Sequence, residues 1–251
     1  MLDLSGQTLL VTGASRGSGK AIAETCARAG AQVAVHYGHS ADAALEVSNA
    51  CGPDAHLFQA DLTDLDATDA LFDAVADTYG RVDGLVLNAG VARHMPLDAD
   101  TATWHADWQD TMQVNLRAPE LLCRHALDHF RTEGGGRIVG IASRAAFRGD
   151  TLDYMSYAAS KAGLVALMRS IARGAGADGV KAFTIAPGFT RTDMAQDFID
   201  EYGPSIVRDD LALNDLTEPE DLAPMVALLL SGHADHATGC TIDMNAGSYV
   251  H

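Results

Sequence analysis

Short runs of apolar and β-branched residues alternate along the whole chain with longer, alanine-rich stretches of helical period. The strand-like runs fall at residues 8–12, 32–37, 56–60, 84–88, 137–142, 181–186 and 241–244. Helical patterns fill 17–29, 41–50, 65–79, 103–130, 157–173 and 219–230, with Gly30, Gly52, Gly80, Gly179 and Pro187-Gly188 among the punctuation. Strands that read as nearly continuous apolar runs are buried on both faces. Helices between them supply the crossovers that parallel strands need. The predicted fold is therefore α/β: a Rossmann-type doubly wound parallel sheet of about seven strands with helices on both faces. No linker interrupts the alternation, so residues 1–251 are expected to form one domain.

Composition narrows the function. A formal net charge of −17 argues against a nucleic-acid partner, which needs a basic face for phosphate. Most of the acid is aspartate and lysine is nearly absent, a pattern suited to a strongly solvated, self-repelling surface. The cysteines Cys26, Cys51, Cys123 and Cys240 lack metal-ligand spacing, so reduced packing residues are expected and no metal site is predicted. No basic segment with a following apolar stretch opens the sequence, and no apolar run reaches membrane-spanning length. A cytoplasmic location with no membrane partner is the expectation.

Ligands of such sheets bind at the carboxyl ends of the strands, and the chemistry-bearing residues fall there. The first run leads into Thr12-Gly13-Ala14-Ser15-Arg16-Gly17-Ser18-Gly19 and then a helix. In that context Gly13 permits the tight turn, Gly17 lets the backbone approach a pyrophosphate, and Gly19 permits close helix–strand packing. The helix N-terminus offers free N–H groups to the phosphates. At the end of the second strand, Val35-His36-Tyr37-Gly38-His39-Ser40 carries no carboxylate before Asp42. An acid there would bind ribose hydroxyls and repel a 2′-phosphate, whereas Tyr37 and Ser40 would not repel one. Arg16 could reach that phosphate, or it could be a solvated loop charge. NADP(H) is favoured, with NAD(H) possible.

Tyr157 and Lys161 stand one helical turn apart in Tyr157-Ala158-Ala159-Ser160-Lys161 and share a face. A tyrosine that exchanges protons near neutral pH needs a neighbouring cation to lower its pKa from about 10. The lysine could also reach the nicotinamide ribose. Ser143, ending the fifth strand, could hydrogen-bond a substrate oxygen. Asn88-Ala89-Gly90 ends the fourth strand beside the adenosine half, and Asp61-Leu62 follows the third, near the adenine edge. Pro187-Gly188-Phe189-Thr190 closes the sixth, where it could meet the nicotinamide amide and phosphates. Asn115 lies inside a helical pattern, where asparagine is a poor helix former and needs another purpose.

Together these motifs resemble the short-chain dehydrogenase/reductase family across essentially the whole chain, nearest its 3-ketoacyl carrier-protein reductase subgroup. The resemblance implies a tetrad of Asn115, Ser143, Tyr157 and Lys161, with Tyr157 as acid/base, Ser143 orienting the carbonyl and Lys161 lowering the tyrosine pKa. Asn115 would hold a water in the proton relay. It implies interconversion of a small-molecule carbonyl and alcohol, and a homotetramer or homodimer built on the two long helices.

Three departures accompany the resemblance. Leu87 stands where the family usually has a first asparagine, Ser18 replaces an apolar residue, and Ser143 lies one residue farther from Tyr157 than usual. Tyr154, seven residues before Lys161, matches the spacing of the enoyl-reductase branch, but a place in the substrate-pocket wall is expected for it. The alternatives are a non-catalytic NADP(H)-binding regulator and enoyl reduction or epimerisation on the same scaffold. Residues 188–217 lack clear periodicity and read as a substrate-covering lid or an ordinary surface excursion. Substrate identity is expected to lie in 93–98, 145–154 and 189–214.

Overall fold

A computed structural model of the chain describes residues 2–203, 211–213 and 215–250. The strands are β1 (Thr8–Val11), β2 (Gln32–Tyr37), β3 (His56–Gln59), β4 (Gly84–Leu87), β5 (Gly136–Ile141), β6 (Val180–Pro187) and β7 (Thr241–Met244). They form one sheet in the order β3-β2-β1-β4-β5-β6-β7, and every neighbouring pair is parallel. The strand order reverses between β1 and β4, the switch point beyond whose carboxyl ends sheets of this kind bind ligands.

Alternation along each strand sends side chains to two separate cores. Leu9 and Val11 of β1, Val33 and Val35 of β2, and Phe183 and Ile185 of β6 face one layer. That layer is α1 (Gly17–Arg28), α2 (Ala41–Cys51) and α9 (Pro219–Leu230), the helix that follows α8 (Asp193–Tyr202). Leu10, Ala34, Leu85, Leu87 and Ile138 face the other, built from α3 (Leu65–Tyr79), α5 (Ala118–Glu133) and α7 (Met155–Gly174). Fully buried Phe72, Phe130 and Phe183 contribute about 1.5–3 kcal/mol each.

The helix expected over 103–130 is three pieces. It runs as α4 (Thr101–Met112), a π-helical turn over Gln113–Arg117, and then α5. Pro119 sits in the first turn of α5, where its missing N–H costs least. Among the elements that escaped the periodicity are a short helix α6 (Ala145–Arg148) and a 3-10 turn over Leu152–Tyr154. The expected lid contains α8 (Asp193–Tyr202), and its base is closed by a parallel bridge between Thr190 and Thr217. Residues 204–210 and 214 of that segment lie outside the described residues. Among the described residues no helix is long and apolar enough to cross a membrane.

Candidate active site

The glycine loop is built to hold its backbone close to other backbone. Gly13 and Gly17 have φ of +63° and +52°, which side-chain-bearing residues rarely adopt. A Cβ on Gly19 would lie 2.2 Å from the Gly13 carbonyl oxygen and 2.5 Å from Asn88 Nδ2. Asn88 closes the loop by donating from Nδ2 to the carbonyls of Thr12 (2.9 Å) and Gly13 (3.1 Å). Thr12 Oγ1 in turn accepts from the N–H groups of Asn88 and Ala89. The loop thus presents the open N-terminus of α1, whose first residues have no side-chain cap. Just past β6, Thr190 Oγ1 is buried with no hydrogen-bond partner among the described residues. A glycine loop at an uncapped helix N-terminus, together with an unsatisfied buried hydroxyl past β6, fits a dinucleotide and its phosphates.

The remaining cofactor-side residues are placed as follows. Ser15 and Ser18 lie part-exposed in the loop and Tyr37 at the end of β2, while Ser40 is exposed ahead of α2. Arg16 is directed at α8: its guanidinium lies 3.2 Å from the Asp193 carboxylate, and both side chains are largely exposed. Asp61 accepts from the N–H and hydroxyl of Thr63, and those bonds hold its carboxyl below the ordinary range. Leu62 is buried, and its carbonyl accepts from Gln113 at 3.3 Å. Gly188 is required sterically, because a Cβ there would meet Asn245 Cα at 2.9 Å beyond β7.

The structure brings Asn115, Ser143, Tyr157 and Lys161 together. The π turn aims buried Asn115 at β4: Oδ1 accepts from the Val91 N–H and Nδ2 donates to the Val91 carbonyl, both at 2.8 Å. Asn115 Nδ2 also donates to Ser160 Oγ at 3.0 Å, beside Lys161 on α7. Lys161 is buried, and its Nζ donates to the Ile141 carbonyl at 2.8 Å, two residues before Ser143. Ser143 shares a hydrogen bond with the Tyr157 phenol.

The electrostatics depart from the expectation of a lowered tyrosine. Burial pushes Tyr157 up to about 12, against the opposing pull of the Ser143 hydrogen bond. Lys161 Nζ lies 5.8 Å from the Tyr157 ring centroid and is committed to the Ile141 carbonyl, and burial lowers it to about 8. These side chains by themselves therefore hold a protonated phenol.

The wall over this centre is aromatic. Tyr154 is buried, with its ring centroid 5.7 Å from His94 and 5.4 Å from Phe198 of α8. Phe198 meets Phe189 at 5.1 Å, and buried Arg144 stacks its guanidinium 4.8 Å above the Phe189 ring. Tyr154 is thus packed under α8. Sequence reading missed Arg144 and His36. The signal for His36 was a polar side chain inside a strand otherwise apolar on both faces.

Fold and site together define a nucleotide-dependent oxidoreductase of the Rossmann class, and the comparisons say which one. The family model described as Enoyl-(Acyl carrier protein) reductase matches residues 13–249. The 3-oxoacyl-[acyl-carrier-protein] reductase FabG of Vibrio cholerae is 34% identical over 249 residues, covering 99% of this chain and 100% of the relative. The Escherichia coli protein of that name is 32% identical over 249 residues, covering 99% and 100%. A short-chain dehydrogenase from Burkholderia cenocepacia in complex with NADP is 34% identical with a TM-score of 0.89, covering 98% of each chain. A short-chain type dehydrogenase/reductase from Mycobacterium marinum superposes with a TM-score of 0.91 at 28% identity, covering 99% and 98%. The chain belongs to the short-chain dehydrogenase/reductase family.

Proposed function

We propose that the protein is an NADP(H)-dependent oxidoreductase that interconverts a carbonyl and a secondary alcohol, acting as one domain over residues 1–251. The carrying observation is the convergence of Ser143, Tyr157 and Lys161 at the strand ends, in a fold whose first loop has no room for a Cβ at Gly13 or Gly19. Bound NADP(H) supplies hydride transfer to or from carbon. Gly13, Ser15, Gly17, Ser18, Gly19, Asn88, Ala89 and Gly90 would hold its pyrophosphate and adenosine half. Pro187, Gly188 and Thr190 would hold its nicotinamide half.

Ser143 orients the substrate oxygen, and Tyr157, protonated at neutral pH, gives it a proton in the direction of reduction. The carbonyl carbon gains a hydride, its oxygen gains the phenolic proton, and the product is an alcohol. The phenolate regains a proton from Lys161, which takes one in turn from solvent through a relay water that Asn115 would hold, beside its bond to Ser160. Arg16 is proposed to exchange Asp193 for the 2′-phosphate when cofactor binds.

The family model's description favours a second reading, enoyl reduction with Tyr154 as the acid. Its ring is packed between His94 and Phe198, which favours Tyr157. The acidic surface repels an acidic carrier protein, so the substrate we favour is a free small ketone or alcohol. A cytoplasmic location and a homotetramer paired through α4–α5 and α7 complete the proposal. The test is absorbance at 340 nm with NADPH against ketones, β-ketoesters and enoyl thioesters. Oxidation with ketones or β-ketoesters is expected. Oxidation only with enoyl thioesters would overturn the reading.

A further inference from the structure

We propose that His36 is a positioning residue for the cofactor, holding the glycine loop in its binding shape by gripping the Gly13 amide. This rests on the nucleotide reading above.

His36 is the penultimate residue of β2 and is 2% exposed. Its ring spans two segments that no backbone ladder joins. Nδ1 lies 3.0 Å from the Gly13 nitrogen and Nε2 lies 3.1 Å from the Ala60 carbonyl oxygen. A backbone N–H can only donate and a carbonyl can only accept. The ring must therefore accept at Nδ1 and carry its proton on Nε2, the neutral tautomer. Burial agrees, pushing the imidazole down to about 4. The main chain of His36 adds a third tie, its carbonyl accepting from the Ala14 N–H at 2.8 Å.

Consecutive amides of the loop are thus fixed from one residue of β2, at the turn where φ becomes positive at Gly13. Gly13 cannot be steadied by a side chain of its own. Ala89 Cα stands 2.9 Å from where its Cβ would be, so the loop backs onto β4 with no room to shift that way. On the other side, His36 is the strut. Its far end rests on Ala60, next to Asp61, and couples the pyrophosphate loop to the adenine end of the site.

The two ring nitrogens can be tested separately. In His36→Asn the side-chain oxygen replaces Nδ1 and can still accept from Gly13, but nothing reaches Ala60. In His36→Gln the amide replaces Nε2 and reaches Ala60, while the Gly13 N–H loses its acceptor. The measurement is the dissociation constant of NADPH and of NADH by nicotinamide fluorescence, with thermal midpoints in parallel. His36→Gln should weaken both nucleotides by about tenfold, the scale of an unmet amide donor. His36→Asn should stay within about threefold of wild type. Both variants binding like wild type would overturn the proposal, as would Asn weakening binding as much as Gln. A lowered midpoint with unchanged dissociation constants would reduce His36 to a packing residue and also overturn it. Wild-type protein that binds neither nucleotide would instead overturn the nucleotide reading itself.

Discussion

Asn115 Nδ2 donates to Ser160 Oγ at 3.0 Å, joining a π-helical turn to the helix that carries Tyr157 and Lys161. The same amide makes two bonds to Val91, so one buried side chain locks β4's exit loop, the π turn and α7 together. Asn115→Ala leaves the half-buried Val91 N–H and C=O without their side-chain partner. It should cost about 2–4 kcal/mol of stability in urea unfolding, the scale of unmet buried polar groups. A loss under about 0.5 kcal/mol would show that these bonds do not hold the site.

Gly19 tests the cradle. The Cβ of Gly19→Ala would meet the Gly13 carbonyl and Asn88 Nδ2, and backbone cannot move aside as a side chain can. The variant should lose about 1–3 kcal/mol of stability and bind NADPH more than about tenfold more weakly. Fluorescence titration and urea unfolding on the same preparation check both. Wild-type affinity would contradict the placement of the phosphates.

Arg16 separates the two nucleotides. Its ion pair with Asp193 is surface-exposed, so removing it should change stability by less than about 1 kcal/mol. If the guanidinium reads the 2′-phosphate, Arg16→Ala should raise the dissociation constant for NADPH about tenfold or more and leave NADH unchanged. Equal effects on both would confine Arg16 to the α8 contact.

Two histidines should titrate in opposite senses. His125 lies between Asp69 and Asp73, at 2.9 Å and 3.2 Å; burial lowers its pKa, but the carboxylates outweigh it and the net shift is upward. A raised folded pKa gives stability that is fully present below about 6.5 and lost as pH rises through the folded value. His125→Gln should therefore be less stable than wild type at pH 5.5, with the gap closing by pH 8.5. His36, held neutral, does the reverse: its contribution is present above about 6.5 and lost as pH falls toward about 4. Thermal midpoints across that range check both signs, and a His125→Gln gap that widens with pH would contradict the ion-pair account.

The sheet was legible because β1, β4 and most of β5 and β6 are apolar runs, and glycine or proline bounds most of the helices between the strands. β2, α3 and α9 fall on the residues that alternation and caps predict. The nearness of Ser143, Tyr157 and Lys161 was legible because Tyr157 and Lys161 are one helical turn apart and Ser143 follows the end of β5. The π turn was not, since one extra residue in a helix barely disturbs an apolar period. Pro119 and the buried Asn115 were its only marks. His36 and Arg144 escaped for another reason: their partners, Gly13 with Ala60 and Phe189, are far away in sequence and meet only in the fold. Nor does spacing report burial, which decides that Tyr157 is pushed up rather than down.

The central claim is that Tyr157, and not Tyr154, gives the substrate its proton. The direct measurement is single-turnover hydride transfer from NADPH to a ketone substrate, comparing wild type with Tyr157→Phe and Tyr154→Phe, cofactor binding being checked in each. The account predicts a loss of about a hundredfold to ten-thousandfold for Tyr157→Phe with NADPH still bound, the range for removing a general acid. Tyr154→Phe should transfer hydride within about tenfold of wild type, its effect falling on substrate affinity. Rapid turnover by Tyr157→Phe, or abolition by Tyr154→Phe alone, would contradict it.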